Sequence, residues 1–151
     1  MPTKYGDDFP LGYQHESPSL TVTETHMVLF TGITGDFYPL HVDAVYASKS
    51  QFGERLVHGP LVFSMAVGLV SLSGMFADSA VAWLGADTVR MRSPVRIGDT
   101  LRVVATHKSL EPTSNPLKGI QTWGFEVLNQ RGESVLTFDH RVMTHLRPQS
   151  G

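Results

Sequence analysis

The sequence predicts an α+β fold in which an antiparallel sheet covers one buried helix. Two observations predict it. Residues 60–77, "PLVFSMAVGLVSLSGMFA", form the longest apolar segment and carry no charge before Asp78. A helix apolar nearly all round is expected to be buried on most sides. After Asp78, four β-rich runs follow one another without an intervening helix. Helices followed by consecutive strands give a sheet with helices segregated to one face.

The elements are read in order. Residues 1–18 are rich in Gly, Pro, Asp and Ser and read as an irregular lead-in. "SLTVTETH" starts as a strand, and Thr23 or Thr25 is placed to cap a helix. Met27, Leu29, Phe30 and Ile33 then recur at mixed helical spacing, with Gly32 or Gly35 as the stop. "GDFYPLH" reads as a loop, because Pro39 blocks helix propagation and biases Tyr38 towards extended backbone. "VDAVYASKSQFG" reads as a short helix capped by Asp43 and stopped by Gly53, and "ERLVHG" as an extended approach. Pro60 suits the first position of the long helix, where a missing N–H costs nothing. The strand runs are 80–95, 99–111, 119–130 and 134–146. Ile97-Gly98-Asp99, Asn115-Pro116 and Asn129-Gln130-Arg131-Gly132 separate them as turn signals. In the last run, Val135, Thr137, Asp139, Arg141 and Met143 alternate with Leu136, Phe138, His140, Val142 and Thr144, and the pattern alone does not say which set faces the helix.

A chain of 151 residues implies one domain, here 19–147, with 148–151 as a tail. Such a chain buries about 68–70% of its unfolded surface, so it needs no metal or disulfide staple. A net charge of −2 gives no basic footprint for nucleic acid or an anionic membrane. The absence of cysteine excludes disulfides, Cys-based zinc sites and thiol catalysis. No run approaches the roughly 18 apolar residues of a membrane span, and no secretory signal is read at the N-terminus, so the expected location is cytoplasmic. No H-E-x-x-H metal spacing, nucleophile elbow, P-loop or strand-linked G-x-G-x-x-G occurs. No metal and no cofactor are expected. His107, His140 and His145 lie in strand-like runs and read as surface or packing residues.

Chemistry concentrates in "GDFYPLHVDAVYASKSQFGERLVHGPL", residues 35–61. Asp36 and His41 flank Pro39, and a bend there lets both reach one point. A carboxylate and an imidazole sharing one water can orient it, take its proton and return that proton elsewhere. Gly59 precedes Pro60 at the positive end of the long helix. Its N–H is a preorganised donor for a carbonyl oxygen that gains charge. A thioester conjugated to a C=C bond needs this pair of devices: water attacks the β-carbon while charge builds on the carbonyl. Each residue alone has an ordinary reading: a turn Asp, a solvated His, a helix-start Gly-Pro, and a His58 that fixes a loop. Their conjunction favours the active-site reading. Phe37, Tyr38 or Trp83, with the apolar helix, are expected to line the pocket beyond it.

The stretch "FTGITGDFYPLHVDAVYASKSQFGERLVHGPL" resembles the signature of the MaoC-like hydratases, the (R)-specific enoyl-CoA hydratase group. "MRSPVRIGDTL", 91–101, resembles that family's later strand–turn segment, and the likeness covers most of 20–146. The resemblance implies a hot-dog fold, a curved antiparallel sheet wrapped around a long central helix. It implies reversible syn hydration of a trans-2-enoyl thioester to an (R)-3-hydroxyacyl thioester. Asp36 and His41 would activate water, Gly59 would be the oxyanion donor, and Phe37, Tyr38, His58, Pro60 and Leu61 would contact substrate. The acyl carrier would be coenzyme A or acyl carrier protein, as substrate rather than cofactor, and the chain would form a homodimer or higher oligomer. Tyr38 stands where the family pattern has Asn, and Pro60 where it has a small residue or Met; both departures bear on the acyl pocket. Lys49, Arg55, Arg90 and Arg92 are candidates for the coenzyme phosphates by charge alone. The alternatives are a hot-dog thioesterase and a non-catalytic acyl-binding subunit. The uncharged helix argues against the first, and retention of both Asp36 and His41 against the second.

Overall fold

The computed structural model describes residues 4–148. Four helices precede the main strands: α1 (Glu24–Thr34), α2 (Pro39–Val42), α3 (Ala44–Ser48) and α4 (Gly59–Leu72). Two short strands, β1 (Gln14–Glu16) and β2 (Leu20–Thr21), come before them. Four long ones, β3 (Ala80–Met91), β4 (Thr100–Pro112), β5 (Lys118–Leu128) and β6 (Ser134–His145), come after. All pairings are antiparallel, in the order β1-β4-β5-β6-β3, with β2 pairing β4 beside the main path.

The sheet's inner face is written in period two, the spacing at which strand side chains share a face. Leu101, Val103 and Ala105 of β4, Trp123, Phe125 and Val127 of β5, and Leu136, Phe138 and Val142 of β6 are all buried. In β6 the even-numbered set is therefore the one turned to the helix. Against this face α4 lays Leu61, Val62, Ala66, Leu69 and Val70. Burying a large aliphatic side chain contributes about 1.5–3 kcal/mol, so this one seam holds the helix in place. Phe63 of α4 packs on Phe138 with ring centroids 4.7 Å apart. This is the hot-dog arrangement.

Several local expectations are corrected. The lead-in to residue 18 is not wholly irregular: a 3-10 turn covers Gly6–Asp8, and β1 pairs Gln14–Glu16 with Thr106, Ala105 and Val104. Three residues flanked by Pro and Gly carry no readable alternation, so only the partner strand reveals it. Pro39 does not keep its segment in a loop; it opens α2 at the first helical position, where proline is tolerated. The long helix begins at Gly59, with His58 as N-cap and Pro60 second, and it stops at Leu72 rather than 77. It is not covered on all sides either. Pro60, Ser64, Gly68 and Leu72, four apart and hence on one face, are exposed. The sheet curls over the other faces of α4 and leaves this one open.

β3 is a terminal strand of the sheet, and every residue except Gly85 and Ala86 is exposed. Its register against β6 slips in three places, and Gly85 (φ 144°) and Thr88 (φ 53°) take positive φ there. His107 and His140 are buried packing residues, while His145 is half-buried. Among the described residues, no helix is long and apolar enough to cross a membrane.

Candidate active site

The sequence places the site's residues by folding three short pieces against one another. α1 is started by Thr23, whose backbone N–H donates to His26 Nδ1 at 3.0 Å. It is ended by Gly35 in the left-handed region (φ 74°), whose N–H donates to the Thr31 carbonyl at 2.8 Å. That reversal turns the chain back over α1 and presents Asp36. The Asp36 N–H donates to Thr34 Oγ1 at 3.2 Å, and Asp36 Oδ1 accepts the Tyr38 N–H at 3.3 Å. The carboxylate thus closes its own turn, a habit of aspartate. Pro39 then starts α2, and His41 lies on its last turn. The Asp43 carboxylate caps α3 by accepting the Tyr46 N–H at 2.9 Å.

His41 is held by the irregular stretch 54–58 that leads into α4. Its Nδ1 lies 2.8 Å from the Leu56 carbonyl oxygen. A carbonyl only accepts, so in the neutral ring this hydrogen bond assigns the proton to Nδ1 and leaves Nε2 with a lone pair. The Leu56 N–H donates back to the Leu40 carbonyl at 3.2 Å, and the Val57 N–H to Val95 at 2.8 Å. The same stretch is thereby tied to both α2 and the connection between β3 and β4.

Asp36, His41 and His58 each offer a ligating atom within 4.8 Å of the other two. Two hydrogen bonds of about 2.8 Å span such a gap through one water. The Asp36 carboxylate is 43% exposed, so solvent reaches it. By distance alone the trio would also suit a divalent ion. The ring geometry argues against that use. His41 and His58 stack at 3.9 Å with 28° between their planes, so their in-plane lone pairs run side by side instead of converging on one ion. His41 Nδ1 and His58 Nε2 also both face carbonyl oxygens.

Gly59 opens α4, so its N–H has no intrahelical acceptor and sits at the positive end of the helix. His41 and Gly59 line one cavity of about 320 Å³, with Phe52, Leu56, Met91 and Pro94 among its other walls. Asp36 is not in that lining. A second cavity, about 330 Å³, lies on the other side of His41 and is lined by Met27, Val28, Gly32, Phe37 and Val42. A third, about 440 Å³ and apolar, runs from Gly59 and Pro60 along Phe63 to Trp83 and Met91.

The residues expected to contact substrate divide. Phe37 and Pro60 line cavities, and Tyr38 is exposed, its ring 6.0 Å from that of His41. A hydrogen bond with Tyr38 holds the Tyr46 hydroxyl above the usual tyrosine pKa. Leu61 is 6% exposed and belongs to the core, because α4 turns it onto the sheet. His58 is fully buried. Of the four cations, Arg92 borders the cavity of His41 and Gly59 and donates from Nε to Thr137 Oγ1 at 3.1 Å. Arg55 is committed to Glu24 by two hydrogen bonds of 2.9 and 2.7 Å. Arg90 donates to the Val89 carbonyl, and Lys49 sits exposed at the end of α3. Sequence reasoning missed the wall formed by Met91, Ser93, Pro94 and Val95. The strand run read as 80–95 in fact ends at Met91, and the buried Val95 lies in the connection to β4 that follows.

Residues 10–124 match the family described as "MaoC like domain". The chain belongs to the MaoC-like family. It is 32% identical over 109 residues to the (R)-specific enoyl-CoA hydratase of Rhodospirillum rubrum, covering 72% of each chain. It is 36% identical over 105 residues to protein MaoC of Klebsiella aerogenes, covering 70% of this chain and 31% of that protein. The MaoC-like chain therefore spans about a third of the length of the Klebsiella relative. Among solved structures, the monoamine oxidase regulatory protein from Archaeoglobus fulgius superposes with a TM-score of 0.88 at 36% identity, covering 96% of both chains. A Mycobacterium tuberculosis protein with a double hotdog fold superposes with a TM-score of 0.84 at 21% identity, covering 98% of this chain and 46% of that one, a likeness of fold.

Proposed function

We propose that this MaoC-like chain is a hydro-lyase that adds water reversibly to a trans-2-enoyl thioester, giving an (R)-3-hydroxyacyl thioester. The observation that carries the reading is that His41 and Gly59 line one cavity, with a carboxylate oxygen of Asp36 within 4.8 Å of a His41 ring nitrogen and the Gly59 N–H at the start of α4. The thioester carbonyl is placed at Gly59. Water held by Asp36 and His41 attacks C3, its proton passes to the dyad, and a proton returns to C2. Both halves of water thus add to the double bond. The charge that builds on the thioester oxygen is met by the Gly59 N–H and the α4 dipole. One such donor is worth roughly 10²–10³ in rate.

Coenzyme A and acyl carrier protein are the two carriers the reading allows, and Arg92, which borders the cavity, is the candidate cation for a carrier phosphate. The working unit is proposed to be a homodimer. An unpaired strand edge is a template for another chain, and here β3 exposes Val81, Trp83, Leu84, Val89 and Met91 beside the open face of α4. A second copy laid antiparallel on this edge would cover both.

The test is an assay with crotonyl-CoA and longer trans-2-enoyl-CoAs. Loss of enoyl absorbance without release of free thiol, and a 3-hydroxyacyl product of R configuration, is expected. Thiol release in its place would make the protein a thioesterase, and no turnover of any enoyl thioester would leave it an acyl-binding subunit.

A further inference from the structure

His58 is fully enclosed beside the dyad, and the hydration mechanism gives it no task. Its Nε2 lies 3.1 Å from the Asp36 backbone carbonyl and 3.4 Å from Thr31 Oγ1. The carbonyl can only accept, so Nε2 carries the hydrogen and Nδ1 is bare. That Nδ1 is buried with no hydrogen-bond partner among the described residues. An unpaired buried nitrogen disfavours folding and asks for a reason. The ring supplies one. One face stacks on His41 at 3.9 Å, and the Phe30 ring lies 5.1 Å away.

We infer that His58 is a positioning residue that fixes both halves of the dyad at once: its Nε2–H holds the Asp36 backbone, and its ring face holds the His41 imidazole. The inference rests on the hydration reading for what the dyad does. The Leu56 carbonyl fixes the tautomer of His41 but leaves the ring free to rotate about that hydrogen bond. Stacking on His58 removes the rotation, and the Tyr38 ring stands edge-on to His41 with 65° between planes. A plain aromatic residue could stack on His41, and a plain amide could hold the Asp36 carbonyl; histidine does both from one buried position. Asp36 and His41 are the titratable groups that face it. Burial holds His58 below the usual histidine pKa, and the neighbouring His41 adds to this against the opposing pull of the Asp36 carbonyl and carboxylate. A neutral ring can lie against His41 without setting two like charges face to face.

The experiment pairs His58→Phe, which keeps a stacking ring and loses the donor, with His58→Gln, which keeps a donor and loses the ring. On crotonyl-CoA each is expected to lower kcat about 10²-fold, the scale of a small misplacement of reacting groups, with KM within about threefold and the acid limb of the kcat–pH profile displaced. Imidazole ¹⁵N spectra supply a readout that needs no turnover. In the parent, His58 should be a neutral Nε2–H tautomer with slow hydrogen exchange, and His41 a single Nδ1–H tautomer. In His58→Gln the His41 ring should keep that tautomer and lose its fixed orientation, read as shifted and broadened imidazole signals, while in His58→Phe the change should be read at the Asp36 carbonyl. Folded variants with unchanged His41 spectra and kcat would overturn the inference. So would a parent His58 that titrates as a free imidazole, a result that stands even where a variant fails to fold. A parent inactive on every enoyl thioester would sink the hydration reading alone, since the tautomer spectra would still decide what His58 does.

Discussion

Asp36 does two jobs with one carboxylate, and they can be separated. Oδ1 closes the turn onto the Tyr38 N–H, while the charge serves the proposed chemistry. Asp36→Asn keeps an oxygen for the turn and removes the base. We expect the variant to fold and to lose about 10²–10⁴ in kcat, the range for a positioned acid–base group; near-normal turnover measured with crotonyl-CoA would remove the dyad from the mechanism. Gly59 allows a cleaner separation. A Cβ built there meets nothing nearer than Met91 Sδ at 3.5 Å, an ordinary contact, and its φ is not in the left-handed region. Gly59→Ala is therefore expected to leave thermal stability unchanged while kcat falls at least tenfold, because the methyl crowds the bound carbonyl. Equal kcat would place the carbonyl elsewhere. That Asp36, His41 and Gly59 come close together was legible because their spacing around Pro39 and before Pro60 is local. How Leu61 and His58 pack was not legible, because which way each faces is decided by distant partners. The sheet takes Leu61, and Thr31 and Phe30 of α1 close over His58.

At the scale of elements, the long helix and the four main strands were readable from apolar run length and period-two alternation. β1 was not, since its existence depends on β4. Nor was the bare face of α4, because a sequence apolar on every side does not say which side the sheet will leave open. Pro60, Ser64, Gly68 and Leu72 mark that face, and β3 runs beside it as an unpaired edge. Burying both against a second copy predicts a dimer whose weakest point is a charge at the centre of the edge. Trp83, 58% exposed, lines the apolar cavity beside α4. Trp83→Lys should convert a dimer into monomers by light scattering while leaving the far-ultraviolet dichroism intact. Parent protein that is monomeric at micromolar concentration would refute the proposed assembly without touching the chemistry of a single chain.

At the scale of the whole molecule, the same burial that shapes the core sets how the protein responds to acid. His140 faces inward from β6, stacked on Phe125 at 4.8 Å with 15° between planes, and its Nδ1 has no partner among the described residues. Burial pushes its pKa from the ordinary 6.5 down to about 4. The folded chain therefore keeps this ring neutral where the unfolded chain protonates it. Unfolding then takes up a proton between those two values, so stability is full above about pH 6.5 and is lost as pH falls towards 4. The contribution is on the order of 3 kcal/mol. His58, held down chiefly by burial, and His15, held down by burial and by Lys4, act in the same direction. The carboxylates of Asp8, Glu24 and Glu133 are lowered chiefly by Arg147, Arg55 and Arg131, so their contributions persist to more acid pH and are lost only as pH falls through their own depressed values. Acid unfolding should then begin with the histidines, and His140 should dominate its first stage. His140→Phe keeps a ring against Phe125 and removes the proton site. Urea midpoints measured at pH 7 and pH 4.5 should fall steeply for the parent and much less for the variant. Parallel losses in the two proteins would mean that the ring is hydrated in the native state and that its burial does not control the acid response.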